Sequence, residues 1–166
     1  PRYDQTGDVE RVLEALDKAA EILKAARPTA VNLFWAIDRM MKLVSSATFS
    51  TVDDLDEILI KEAQRIAADD VEINLTICEN AQTLIPQRAR IFHHCNTGSL
   101  AAVDYGTALG IIRIAHERGK EIFVYVDETR PRLQGARLTA WELQQDGVDF
   151  KVVADSTSGH YMRTEK

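Results

Sequence analysis

The sequence is poor in the residues that would place it in several special classes. Two cysteines, Cys78 and Cys95, among 166 residues are too few for a disulfide framework and have no C-x-x-C spacing. That scarcity points to a reducing, cytoplasmic setting. No apolar stretch approaches the roughly 20 residues a membrane helix needs, and Pro1-Arg2-Tyr3-Asp4-Gln5 offers no apolar core of a secretory signal. Basic charge is short as well: 20 Lys and Arg against 26 Asp and Glu leave a formal charge of −6. With no basic stripe, phosphate-driven nucleic-acid binding is not expected. Internal repeats and low-complexity segments are absent. The expectation is a soluble globular chain with neither a membrane nor a nucleic-acid partner.

What is present is ordinary globular composition, 45% apolar and 28% charged, in a chain long enough for a proper core. It has two textures. Val9, Val12, Leu13, Leu16, Ala20, Leu23 and Ala26 recur at helical steps, as one buried face requires. Pro28 ends that helix, and Leu33, Phe34, Ile37, Met41 and Val44 carry the next. Ser50-Thr51-Val52-Asp53-Asp54 is a capping signature that opens a third helix through Leu55, Leu59, Ala63 and Ile66, running on past Ile73 and Ile77. From about residue 89 the period changes. Short β-type runs at 89–94, 121–126 and 150–153 are separated by helical patterns at about 100–118 and 138–145. Strand, helix, strand, helix, strand with short connections implies a right-handed parallel α/β unit.

The fold class read from this is α/β: an N-terminal helical domain over 1–87, then the start of a Rossmann-like parallel sheet flanked by helices over 88–166. Three parallel strands with an open edge are a poor stopping point, so the chain is expected to be part of a longer protein.

In parallel α/β sheets, ligands collect beyond the carboxyl ends of the strands. Three polar strand ends are expected on one side: His94-Cys95-Asn96-Thr97-Gly98, Asp127-Glu128-Thr129-Arg130-Pro131 and Ala154-Asp155-Ser156-Thr157-Ser158. At the first, Asn96, Thr97, Gly98 and Ser99 are expected to lead directly into a helix whose dipole would favour a Cys95 thiolate. The competing reading is a small buried cysteine that ends a strand. His93 and His94 are adjacent, so on a strand they face opposite ways and cannot share a metal; with no further ligands at zinc-like spacing, no metal site is expected. Arg130 and Arg137 around Gly135 suit a phosphate, or else pair with Glu128 to shape the loop. Asp155 reads as an acid or base, or as a helix cap.

Three separated runs carry a family resemblance. HCNTGSLAAVDYGTALGIIRIAHERGK from His94, VYVDETRPRLQGARLTAWEL from Val124 and ARPTAVNLFWAIDRM over Ala26 to Met40 resemble the methylthioribose-1-phosphate isomerase family. That family lies within the superfamily of translation initiation factor 2B alpha, beta and delta subunits. The resemblance implies Cys95 as the catalytic cysteine and Arg27 and Gln134 as substrate contacts, with Asn96, Thr97, Gly98 and Arg130 as possible lining. It also implies a sugar-phosphate substrate, no metal or nucleotide cofactor, and a homodimer. The family's early Arg-Gly-Ala loop and its later Gly-Ala-Asp-Arg motif, with the acid aspartate, are not among these residues. The 166-residue chain alone is therefore expected to be inactive. Ribose 1,5-bisphosphate isomerase, which shares the ETRP type of motif, and a non-catalytic regulatory subunit of the initiation factor 2B type are the alternatives.

Overall fold

A computed structural model of the chain describes residues 9–29 and 31–164. Two compact units divide it, Pro1–Ala68 and Asp69–Lys166. The division falls inside a long helix, whereas the sequence-based domain limit at 87/88 marks where helix gives way to sheet.

The first unit is helical. Helix α1 (Val9–Ala26), helix α2 (Val31–Ser46) and the start of helix α3 (Val52–Ala81) follow the expected periods. Val12, Val44, Leu55 and Leu59 form the core, with Leu13, Leu16, Met40, Phe49 and Val52 packed against it. The α1 stripe is only partly buried: Val12 and Ala20 are inside, while Leu23 is exposed. The capping signature before α3 is a reciprocal box. Thr51 Oγ1 accepts the Asp54 N–H at 3.1 Å, and Asp54 Oδ2 accepts the N–H groups of Thr51 and Ser50. Lys24–Asp38 and Arg39–Glu62 ion pairs join neighbouring helices.

The second unit is built on a sheet of three parallel strands in the order β1-β2-β3: β1 (Arg88–His93), β2 (Glu121–Asp127) and β3 (Asp149–Val153). Helix α4 (Ala108–Glu117) joins β1 to β2, and helix α5 (Ala140–Asp146), preceded by a wide π-type turn over Gly135–Thr139, joins β2 to β3. The short helix α6 (Ser158–Thr164) follows β3. Strand β2 alternates as a two-sided strand should. Ile122, Val124 and Val126 join the core with Leu109, Ile112, Ala115, Leu143 and Val148. On the opposite side Tyr125 stacks between Phe92 and Tyr161, each at 4.8 Å between ring centroids. Helix α5 ends at Gly147 in the left-handed conformation, φ 70°, the usual glycine stop.

The two cysteines part company. Cys78, near the end of α3, is fully buried, with its sulfur 3.6 Å from the carbonyls of Gly106 and Thr107. Burial pushes its thiol up, away from reactivity. Among the described residues no helix is long and apolar enough to cross a membrane.

Candidate active site at the carboxyl ends of the strands

Strands β1, β2 and β3 end side by side, so the loops that leave them meet. Glu128 donates its N–H to the Val153 carbonyl at 2.8 Å. Asp155 accepts the N–H groups of Thr129 and Arg130, both at 2.8 Å, one on each carboxylate oxygen. These bonds hold its carboxyl below the ordinary 3.8, the Arg130 N–H contributing most and the Thr129 N–H next. Asp155 is thus neither a free acid nor the cap of its own helix: it fastens the β2 loop to the β3 loop.

The loop after β1 departs from expectation. The sequence predicts a helix from about Leu100, with its N-terminus beside Cys95. The chain instead makes one 3₁₀ turn, Ser99–Ala101, and does not enter α4 until Ala108. The reason is a closed loop. Gly98 bridges Gly106, and Thr97 accepts the Thr107 N–H on its carbonyl and the Leu109 N–H on its hydroxyl. Gly106 sits at φ 80°, where a Cβ would lie 2.3 Å from the Thr97 carbonyl oxygen. The α4 N-terminus therefore opens on Thr97 and not on Cys95, and the helix-dipole argument for a Cys95 thiolate falls away.

Beneath this loop lies Glu142 of α5, only 1% exposed. Its carboxylate accepts the Ser99 N–H at 2.8 Å, the Ser99 hydroxyl at 2.7 Å and the Asn96 amide at 2.7 Å. A buried carboxylate is tolerable only when its oxygens are satisfied in this way. Gly98 is held against the same group: a Cβ there would fall 2.3 Å from Oε2. Asn96, Thr97 and Gly98 are therefore spent largely on shaping the loop.

Cys95 itself is half-buried and has φ 67°, the left-handed region that costs a non-glycine residue about 1 kcal/mol or more. Its N–H donates to Thr129 Oγ1 at 2.8 Å, and its carbonyl accepts the Thr139 hydroxyl at 2.6 Å. Thr129, at φ 61°, is left-handed too. Gly135 lets this loop close, since a Cβ there would sit 1.8 Å from the Asp127 carbonyl oxygen and 2.9 Å from Thr129 Oγ1.

The two histidines separate, His93 as the last residue of β1 and His94 just beyond it. His93 is buried, with Nε2 2.9 Å from Thr97 Oγ1, and burial, then the neighbouring His94, holds it below the ordinary 6.5. His94 is exposed and pairs through Nδ1 with Asp127 Oδ2 at 3.1 Å. His94, Asp127 and Asp155 bring ligand atoms within 4.8 Å of one another. Neither the adjacency of His93 and His94 nor zinc-like spacing reveals such a grouping, because its members come from three strand ends. Every carboxylate oxygen in it already accepts a hydrogen bond, Asp127 Oδ1 from the Ser158 hydroxyl at 2.6 Å. The group fastens loops together.

Of the other expected residues, Gln134 lies in the β2 loop with its Oε1 buried and without a partner among the described residues. Arg130 and Arg137 are exposed and form no ion pair with Glu128 among the described residues, so pairing does not shape this loop. Arg27 is exposed in the turn between α1 and α2, in the first unit. Thr129 is legible in the sequence only as part of a polar strand end, and Thr139 and Glu142 carry no signal beyond lying within the second of the three family-like runs.

A family model described as the initiation factor 2 subunit family matches residues 2–164. The chain belongs to the initiation factor 2 subunit family. This family member is 56% identical over 155 residues to methylthioribose-1-phosphate isomerase 2 of Pseudothermotoga lettingae, a match covering 93% of this chain and 45% of that protein. It is 57% identical over 148 residues to the methylthioribose-1-phosphate isomerase of Synechococcus sp., covering 89% and 42%. Its fold superimposes on the crystal structure of 5-methylthioribose 1-phosphate isomerase from Pyrococcus horikoshii OT3 with a TM-score of 0.85 at 44% identity, over 93% of this chain and 43% of that one. The crystal structure of translation initiation factor eIF-2B, subunit delta, from A. fulgidus matches with a TM-score of 0.83 at 42% identity, over 98% and 46%. The chain spans less than half the length of these relatives.

Proposed function

We propose that the protein containing this chain is an aldose–ketose isomerase that converts 5-methylthioribose 1-phosphate to 5-methylthioribulose 1-phosphate in methionine salvage. The observation that carries the reading is the identity of 56% and 57%, over nine-tenths of the chain, to relatives bearing that enzyme's name. A phosphate on C1 keeps the substrate from opening freely to an aldehyde, so ring opening and transfer between C1 and C2 need placed groups. Cys95 is the reacting side chain in this reading, and Arg27 and Gln134 bind substrate. Two features support it. Among the described residues, Gln134 has an unspent buried acceptor, and Arg130 carries a guanidinium not tied up by an ion pair. Asn96, Thr97 and Gly98 line the site mainly by shaping the loop around Cys95. The reaction runs through an enolate with a proton shuttle or by hydride transfer between the two carbons, and it draws on no cofactor. The working protein is a cytoplasmic homodimer.

A second reading has one observation in its favour, the likeness to the A. fulgidus protein described as an initiation factor subunit. In that case the protein is a ligand-sensing scaffold. One experiment separates the two. The full-length protein is incubated with 5-methylthioribose 1-phosphate, and in parallel with ribose 1,5-bisphosphate, while ketose formation is followed by NMR. Turnover of the methylthio sugar, in preference to the bisphosphate, is expected. Sugar-phosphate binding without turnover of either compound would favour the scaffold.

A further inference from the structure

If Cys95 reacts, something must hold it in place. Its backbone is in a conformation that L-residues avoid, and among the described residues no helix N-terminus fixes it. Both of its peptide groups are instead engaged by threonine hydroxyls from elsewhere in the chain, 34 and 44 residues away. Thr129 Oγ1 accepts the Cys95 N–H and donates its own proton to the Asp127 carbonyl at 3.1 Å. Thr139 Oγ1 donates to the Cys95 carbonyl and accepts the Asn96 amide at 3.2 Å. Each hydroxyl thus both donates and accepts, and both residues are buried, at 6% and 0% exposure. Thr129 is in turn fixed by Asp155, which takes its N–H at 2.8 Å.

We propose that Thr129 and Thr139 are positioning residues that clamp the Cys95 backbone at positive φ and so set the direction of its Cα–Cβ bond. The reasons are steric and electrostatic. The φ of a residue fixes where its Cβ points relative to the preceding peptide and ψ where it points relative to the following one, so a clamp on both N–H and C=O aims the side chain without touching it. Buried hydroxyls are costly unless satisfied, and a generic packing position at either site would be filled as well by valine or alanine. The clamp rests on the reading that Cys95 reacts, because aiming a thiol matters only if the thiol is used. Displacing a reacting atom by about 1 Å lowers rate by about 100-fold.

The test uses the full-length protein with Thr139→Val and Thr139→Ser. Thr139 has helical backbone angles, which valine accepts. Thr139→Val is expected to lower kcat about 100-fold with KM changed less than about threefold, the pattern of a lost transition-state geometry. Thr139→Ser, which restores the hydroxyl, is expected to stay within about threefold of the parent. The rate of Cys95 alkylation by iodoacetamide across pH is expected to shift in Thr139→Val and not in Thr139→Ser, with the fully buried Cys78 as an internal reference. A parental kcat and alkylation profile in Thr139→Val would overturn the clamp, as would a serine variant as impaired as the valine one. If Thr139→Val does not fold, hydrogen exchange at the Cys95 amide of the parent decides. Slow exchange is expected, and exchange at the rate of an exposed loop amide would overturn the proposal. Full turnover in Cys95→Ser would instead defeat the functional reading, while the alkylation and exchange results would still judge the clamp.

Discussion

The two ends of the sheet carry polar groups to different effect. At the amino ends an open hollow of about 820 Å³ is lined by Arg88, Arg90, His116, Lys120, Glu121 and Asp149, among others. Arg88 and Glu121 lie at its surface, pairing at 2.8 Å with side chains 81% and 64% exposed, while the half-buried Lys120 donates to the Gln82 and Ile85 carbonyls at 2.7 Å. Its glycines Gly119 and Gly147 sit in tight turns, and a Cβ at either would have nothing within 4 Å. At the carboxyl ends Thr129, Thr139, Glu142 and Asp155 are fastened by bonds between separate loops, and the packing is so close that glycines are needed for room. Size and charge alone would have favoured the hollow. Pre-organisation favours the other end, because placed groups and a left-handed cysteine cost stability that surface charges do not.

Substitutions at the two ends put this contrast to the test. Gly135→Ala should do the most damage, because its Cβ would meet the Asp127 carbonyl, a backbone atom with nowhere to move. A loss of about 3 kcal/mol in denaturant unfolding, together with loss of turnover, is expected. Stability close to the parent's would show that the β2 loop is not tightly packed.

Acid should come next, and it should act on the carboxyl end. His93 has a folded value below 6.5, so the unfolded state takes up protons first as pH falls. Its contribution is complete above 6.5 and is lost as pH falls through the lower folded value. Asp155, held below 3.8, contributes in the same sense: its contribution is complete above 3.8 and is lost on passing the folded value. Melting temperatures between pH 7 and 5 should decline less steeply in His93→Gln than in the parent; parallel curves would remove His93 as a cause.

At the amino end the effects shrink. Gly119→Ala meets no neighbour, only the backbone cost at φ 74°, about 1 kcal/mol, and should leave turnover intact. Glu121→Gln removes one partner of an exposed ion pair and should change unfolding free energy by no more than about 0.5 kcal/mol. A loss of turnover from either would move functional weight to the hollow.

Most of the fold was legible in the sequence because periodicity and caps are local. The alternation of Ile122, Val124 and Val126 with Phe123 and Tyr125 marked β2, and the Thr51–Asp54 box marked the start of α3. The start of α4 was not legible. Ala101 and Ala102 have helix-forming composition, and what delays the helix is a closure between Gly98 and Gly106 with Thr97 holding the first free N–H groups. The convergence of three polar strand ends followed from the parallel topology, but their fastening did not. Glu142 with Ser99, and Thr129 and Thr139 with Cys95, are bonds across 34 to 44 residues that no spacing rule reaches.

What matters most is whether the carboxyl ends of the strands hold an isomerase site in which Cys95 reacts. The turnover number of full-length Cys95→Ser on 5-methylthioribose 1-phosphate decides it, measured beside the parent with folding checked by melting temperature. An intact fold and a kcat at least about 100-fold lower are expected. A folded variant with parental turnover would contradict this assignment.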